Sequence, residues 1–250
     1  MTIGRRSGSS GFETPIGRLG GVRSPCYKAL MCGKFTAKAS WTETVDYIWS
    51  SPAVDGEDDR TYRVMNDLPV IVLEGEERRV MPMRWGFPHP DKWQVPQPIH
   101  ARSETIDTTK AFAQAFRDGQ RGIVLMKNFN EAPDIDGPTI QHIITPGEEA
   151  ALAAAFVWRR YDIAGLPKPL FACVLVTVPA NQLLATLPTD RMPAFLAPED
   201  WQTWLGEKAA SVDDAKACLK TVEGVRWTMA REARPARRAK PTVSSPTGLF

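Results

Sequence analysis

The chain has 250 residues, of which 43% are hydrophobic, and its 31 lysines and arginines nearly balance its 29 aspartates and glutamates. This composition is typical of a globular protein and excludes a highly charged disordered chain. No apolar run approaches the roughly 20 residues of a membrane-spanning helix, and a net charge of +2 does not by itself require a nucleic-acid partner.

The cysteines are few and scattered, and none of them forms a CxxC pair. They are Cys26, Cys32, Cys173 and Cys218, and the three histidines lie far from them in the sequence. We therefore expect no zinc site and no disulfide framework. We also expect no cofactor. A chain with this cysteine usage fits a reducing compartment, so we predict a cytoplasmic protein.

The two ends of the chain differ in composition from the middle. Residues 1–30 are rich in Gly, Ser and Arg and lack the apolar segment of a secretory signal. They are either a disordered extension or the product of a mis-assigned start codon, and we favour a true start at Met31. Residues 229–250 form a basic, proline-containing tail that we expect to stay solvated, with phosphate binding as the minor alternative. A single domain is predicted over residues 31–228.

The first elements of this domain are a helix and a hairpin. Ser40 and Glu43 have the spacing of a capping box and predict the start of a helix. The segments LPVIVLE and RRVMPMRWGF then read as two strands joined by a turn at Gly75.

The later elements alternate between helices and strands. A helix is predicted with Phe112, Ala115 and Phe116 on one face and its end near Gly119. Strands are predicted for RGIVLMK, TIQHIIT and LFACVLVTV, and helices for PANQLLATL, PEDWQTWLG and SVDDAKACLKTV. The segment AAFVWRR is ambiguous, because its alanines favour a helix while its aromatic and branched residues suit a strand. The mixture predicts an α+β fold with a mainly antiparallel sheet.

Cys32 is the first candidate for chemistry, and its role depends on where the mature chain begins. Inside the chain, a free cysteine is most often a small buried hydrophobic residue. After removal of Met31, its amine and thiol would share one carbon. Such an amine, with a pKa of about 8, can form a Schiff base with an aldehyde. The thiol can then add to the carbon of that Schiff base to give a thiazolidine ring.

Other candidates are acidic, basic and aromatic. Glu131 and Glu104 are candidates for proton transfer, with a solvated carboxylate or an arginine partner as the alternative for each. Arginine beside tryptophan suits single-stranded nucleic acid, because guanidinium binds phosphate and indole stacks on bases. The residues of this kind are Arg84, Trp85, His100, Arg102 and Arg191, and the alternative for Trp85 and Arg84 is a core indole beside a paired arginine.

Taken together, five motifs occur in the order found in one family. The strings MCGKF, RWGF, HARSET, FNE and DRMPAFL, the last followed by WL, resemble the SRAP family of SOS response-associated peptidases, or abasic-site processing proteins, from about Met31 to Gly206. The resemblance implies an α+β fold with a mainly antiparallel, barrel-like β-sheet core, flanking helices and a positively charged DNA channel. In that fold AAFVWRR is a strand, and we adopt that prediction.

The resemblance also implies a function and a set of site residues. Family members bind single-stranded DNA and join an N-terminal cysteine, here Cys32, to the ring-opened aldehyde of an abasic site, which shields the lesion. Exposure of that cysteine is attributed to autoproteolysis, so both peptidase and lyase-type activities are implied. Glu131 matches the catalytic glutamate, and Arg102 and Arg191 match arginines that hold phosphates. Arg84 and Trp85 match a pair whose tryptophan is wedged against a base.

Two departures put the activity in question. The family asparagine before Ala-Arg is His100 here, and the family histidine before x-Arg-Met-Pro is Thr189. Either His100 supplies the missing imidazole, or the chain is a diverged member with slower chemistry. A non-catalytic single-strand binder and a cysteine peptidase using His100, His89 or His142 are the alternative functions. We expect a monomer that associates with the nucleoid when it binds DNA.

Overall fold

The computed structural model describes residues 33–37, 60–132, 140–147, 152–224 and 226–232. Cys32, the predicted helix after Ser40 and nearly all of the basic tail lie outside these residues. Twelve strands run through the described part of the chain: β1 (Lys34–Ala37), β2 (Arg60–Arg63), β3 (Asp67–Glu74), β4 (Glu77–Trp85), β5 (His100–Arg102), β6 (Arg121–Met126), β7 (Asn128–Glu131), β8 (His142–Thr145), β9 (Leu152–Tyr161), β10 (Leu170–Pro179), β11 (Arg191–Pro193) and β12 (Thr228–Arg231).

Short helices flank these strands in the described residues. They are α1 (Ala113–Arg117), α2 (Trp201–Leu205) and α3 (Val212–Ala217), with 3-10 turns at Ser103–Thr105, Leu184–Thr186 and Pro198–Asp200. The segment PANQLLATL, predicted as a helix, contains only the turn at Leu184–Thr186. None of the helices in the described ranges is long and apolar enough to cross a membrane.

The first sheet closes on itself. Its strands are ordered β11-β10-β4-β3-β6-β9, and β9 also pairs with β10, so β10, β4, β3, β6 and β9 form a ring. The pairings in this sheet are antiparallel except those of β10 with β4 and with β5. The predicted α+β fold with a barrel-like, mainly antiparallel core is therefore confirmed.

The β3–β4 hairpin is the one predicted from the sequence. It turns at Gly75, whose φ of 66° lies in the left-handed region that glycine adopts without strain. The register runs from Asp67 opposite Arg84 to Glu74 opposite Glu77.

A second glycine is needed where β6 meets β3. These strands pair at Ile71 and Ile123, and Gly122 lies against the side chain of Val70. A Cβ atom on Gly122 would stand 2.5 Å from Val70 Cγ1 and 3.1 Å from the carbonyl oxygen of Ile71. The close approach of the two strands therefore depends on the absence of a side chain at this position.

β9 is a strand, although its alanines favour a helix. Its alanines, Ala153 to Ala155, are almost fully buried, and β9 pairs with both β6 and β10. Their small side chains leave room for the segment after β11, whose Ala194 carbonyl accepts a hydrogen bond from Ala155 N–H at 2.9 Å. Tertiary pairing on both sides thus outweighs the weak intrinsic preference for helix.

The second sheet carries the beginning of the described chain. Its order is β12-β8-β7-β1-β2, and every pairing within it is antiparallel. Its inner face packs on the ring through aromatic side chains: Phe35 lies 5.2 Å from Trp85, and Phe129 lies 5.6 Å from Phe195, measured between ring centroids. The candidate site lies where these two sheets meet.

Candidate functional site

The start of β1 and the end of β7 lie side by side at the same end of the second sheet. The two strands are antiparallel, with Phe35 opposite Phe129 and Thr36 opposite Asn128. This register runs towards Gly33 on one strand and Glu131 on the other. The Gly33 carbonyl accepts a hydrogen bond from Val64 N–H at 3.3 Å, which fixes the first described residue after Cys32.

Glu131 is a buried acid. Only 1% of its surface is exposed, so it is not the solvated surface carboxylate given as the alternative. The chain continues from β6 directly into β7, of which Glu131 is the last residue. A strand places alternate side chains on one face, so Glu131 shares the inner face of the sheet with Phe129.

Trp85 contacts both Phe35 of β1 and His100 of β5 through its ring. Its ring centroid is 5.2 Å from that of Phe35 and 6.4 Å from that of His100, which meets the indole edge to face. Its Nε1–H donates to the Ile99 carbonyl at 3.3 Å, and its own carbonyl accepts from Met65 N–H at 3.0 Å. His100 therefore packs on the same indole as Phe35, from strand β5, which pairs with β10 outside the ring.

The exposed indole expected at Trp85 is not found. Trp85 is 0% exposed, because its strand runs between β3 and β10 and its ring is covered by aromatic neighbours. An indole in this position has no face available for stacking on a base. Trp85 belongs to the core, as the alternative interpretation held.

Arg84 is buried on the opposite side of the same strand. It is 5% exposed, and its Nη1 donates to the Trp93 carbonyl at 3.0 Å. Burial lowers the pKa of this guanidinium, and the charge of Asp67 opposes that shift. The exposed position that phosphate binding would require is therefore not found for Arg84.

Arg191 is held by an acid rather than left open. Its Nη1 and Nη2 donate to Glu104 Oε1 and Oε2 at 2.5 and 2.9 Å, and Nη2 also donates to the Thr177 carbonyl at 2.5 Å. The hydrogen bond from Arg191 is the main cause that lowers the pKa of Glu104. Arg191 is 5% exposed, so this bidentate pair fixes the turn that follows β5 to the strands β10 and β11.

Arg102 is the exposed arginine of the predicted set. It ends β5 opposite Thr177. His100 and Arg102 are two residues apart in a strand and so point to the same side. Thr189, which replaces the family histidine, is half-buried, and its hydroxyl donates to the Arg191 carbonyl at 3.4 Å.

The outer face of the second sheet carries charged residues that the sequence did not single out. Lys34 lies opposite the exposed Arg63 across the β1–β2 pair. Lys34 forms an ion pair with Glu232, which follows β12, and Asn130 Nδ2 donates to the other Glu232 oxygen at 3.4 Å. The residues Lys34 and Glu232 are 198 positions apart, so no local pattern signals their contact.

Comparisons with known proteins agree on the family. The profile of the SOS response associated peptidase (SRAP) family matches residues 31–233. The abasic site processing proteins YoqW and YobE of Bacillus subtilis (strain 168) are each 25% identical over 197 residues. The match covers 76% of this chain, with 87% of YoqW and 88% of YobE.

Solved structures show the same fold. A Bacteroides thetaiotaomicron protein superposes with a TM-score of 0.68 at 17% identity, covering 80% of this chain and 91% of its own. A Bordetella bronchiseptica protein superposes with a TM-score of 0.67 at 20% identity, covering 81% of this chain and all of its own. The chain belongs to the SRAP family.

Proposed function

We propose that this protein processes abasic sites in single-stranded DNA by linking itself covalently to them. In this proposal Met31 is removed, by autoproteolysis or by other processing, and Cys32 becomes the N-terminal residue. The related proteins YoqW and YobE carry the name abasic site processing protein. The observation that carries the proposal is the buried acid Glu131, which ends β7 on a strand paired with β1, the strand that begins two residues after Cys32.

The proposed reaction needs only the groups of the protein and the DNA. The Cys32 amine adds to the ring-opened aldehyde and water leaves, which gives a Schiff base. The Cys32 sulfur then adds to the carbon of that imine, the nitrogen takes up the thiol proton, and the thiazolidine ring closes. Glu131 moves protons during opening of the sugar ring and loss of water. His100 supplies the imidazole that Thr189 cannot.

In this proposal, cationic side chains of β1, β2 and β5 bind the DNA. Arg102 and Arg63 are exposed, and Lys34 is partly exposed. These cations attract phosphates irrespective of sequence, so binding should weaken as salt rises. Arg191 is given a structural role instead, because its guanidinium is already bound to Glu104.

The test is incubation of protein that starts at Met31 with a single-stranded oligonucleotide bearing one abasic site. On a denaturing gel, we expect a band of the covalent protein–DNA adduct. Cys32→Ala should abolish that band and leave DNA binding nearly intact, whereas Cys218→Ala, which removes a thiol from the end of α3, should keep it. Glu131→Gln should slow the band's appearance by about 100-fold without eliminating it.

Two outcomes would contradict the proposal. If Cys32→Ala still traps DNA covalently, the linkage does not involve this residue. If the wild-type protein binds the oligonucleotide but forms no adduct, the alternative of a non-catalytic single-strand binder replaces the proposal. The replacement of the family histidine by Thr189 is the observation that favours that alternative.

A further inference from the structure

His142 lies directly across from Glu131. In the β7–β8 pair Glu131 is opposite His142, and in the β8–β12 pair His142 is opposite Arg231. Residues opposite each other in an antiparallel pair project to the same face, with Cβ atoms about 5 Å apart. Glu131, His142 and Arg231 therefore form one row across β7, β8 and β12, and Glu131 is the member of the row closest to β1.

One ring nitrogen of His142 makes no hydrogen bond to the described residues. Its Nδ1 is buried and has no hydrogen-bond partner within the part of the chain that the structure describes. Burial of an unpaired polar atom costs free energy, so a position of this kind calls for a physical explanation. The opposite neighbour of this imidazole is the buried carboxylate that the proposed reaction uses.

Exposure rises along the row. Glu131 is buried, His142 is partly exposed, and Arg231 is exposed. A buried acid that gives and takes a proton in each reaction needs a path to solvent. An imidazole suits that path, because one ring nitrogen can accept a proton while the other releases one.

We propose that His142 is a positioning residue for Glu131 that exchanges protons between this carboxylate and solvent. This inference rests on the proposed function. A proton that Glu131 takes from the reacting groups passes to one nitrogen of His142, and the other nitrogen releases a proton to water. The reverse transfer restores the protonated acid when Glu131 must donate. The charged groups that face His142 from the adjacent strands are Glu131 on β7 and Arg231 on β12.

The experiment measures the rate of adduct formation against pH for the Met31-start protein and its variants. His142→Gln retains an amide near Nε2 and His142→Asn retains one near Nδ1, but neither side chain titrates. Both should slow adduct formation at least about ten-fold and make its rate less dependent on pH. His89→Gln is the matched control, because His89 is an exposed histidine whose Nδ1 already accepts from Asp91 N–H at 3.2 Å.

The same series separates His142 from His100. His100→Asn, which introduces the residue found in the family motif, removes the imidazole assigned to the reaction itself, and His142→Asn should slow adduct formation further in that background. A His142→Asn profile that matches wild type in rate and shape would overturn the inference and leave the proposed function standing. Absence of any adduct with wild-type protein would overturn both. Thermal unfolding of each variant checks that a change in the rate of adduct formation does not result from misfolding.

Discussion

The polar and aromatic residues around the candidate site differ in how far they are buried and in which partners they have. The motifs indicated Glu131 and His100; Glu131 is buried at the end of β7, and His100 meets the ring of Trp85. The same motifs suggested that Trp85 and Arg191 touch DNA, but both side chains are covered. Their covering partners come from strands distant in sequence, so no local pattern distinguishes an exposed arginine from one bound to Glu104.

The Arg191–Glu104 pair makes a prediction about stability and pH. The lowered pKa of Glu104 means that the folded protein holds this group ionised at pH values where the unfolded chain begins to protonate it. Its stabilisation is thus present above the unfolded pKa and is lost as pH falls through the lowered folded value. Glu104→Gln should lower the free energy of unfolding at neutral pH by about 1 kcal/mol, a figure discounted for solvent screening.

Denaturant titrations at several pH values check this expectation. The difference between Glu104→Gln and wild type should shrink as the pH falls below about 4. Glu77→Gln is the control, since the Glu77 carboxylate is 68% exposed in its pair with Arg79. A difference that stays constant down to acid pH would show that the pair contributes nothing through its charge.

β12 is followed by an acid that pairs with the first residue of β1. Glu232 follows this strand and binds Lys34, two residues after Cys32 in the chain. If DNA binds as proposed, a phosphate approaching Lys34 competes with this carboxylate. Glu232→Gln should therefore raise the affinity for a single-stranded oligonucleotide by up to about five-fold, equivalent to ~1 kcal/mol.

A matched variant separates this effect from general charge. Glu207→Gln removes the same charge from another ion pair with Arg78, in which the glutamate side chain is 20% exposed, compared with 28% for Glu232. Affinity measured by fluorescence anisotropy should rise more for Glu232→Gln than for Glu207→Gln, and Lys34→Met should remove the difference. Equal affinities for the two glutamine variants would mean that Glu232 does not restrict access to Lys34.

The elements themselves were predictable to different degrees. The β3–β4 hairpin and the capping box of α3, formed by Ser211 and Asp214, follow from local patterns and are present. The 3-10 turn at Leu184–Thr186 is shorter than the predicted helix. β7 and β12 were not predicted, because short strands acquire their identity from partners elsewhere in the chain.

For the whole molecule, the decisive question is where the functional chain begins. An amine in a peptide bond cannot form a Schiff base, so protein that retains residues 1–31 should form no thiazolidine. Protein expressed from Met31 and trimmed to Cys32 should form it. Mass spectrometry of both N-termini, run beside the adduct assay, checks this expectation. An equally stable adduct with the untrimmed protein would require chemistry at another residue.

The closed ring has a consequence far from this chemistry. Its β3–β6 junction depends on a position where even one methyl group would meet Val70 and the Ile71 backbone. In an unbiased mutational scan, we expect Gly122 to rank among the least replaceable residues, although the proposed reaction assigns it no role. Losses of activity at this codon would report failed assembly of the scaffold, and reading them as evidence of an active-site glycine would be an error.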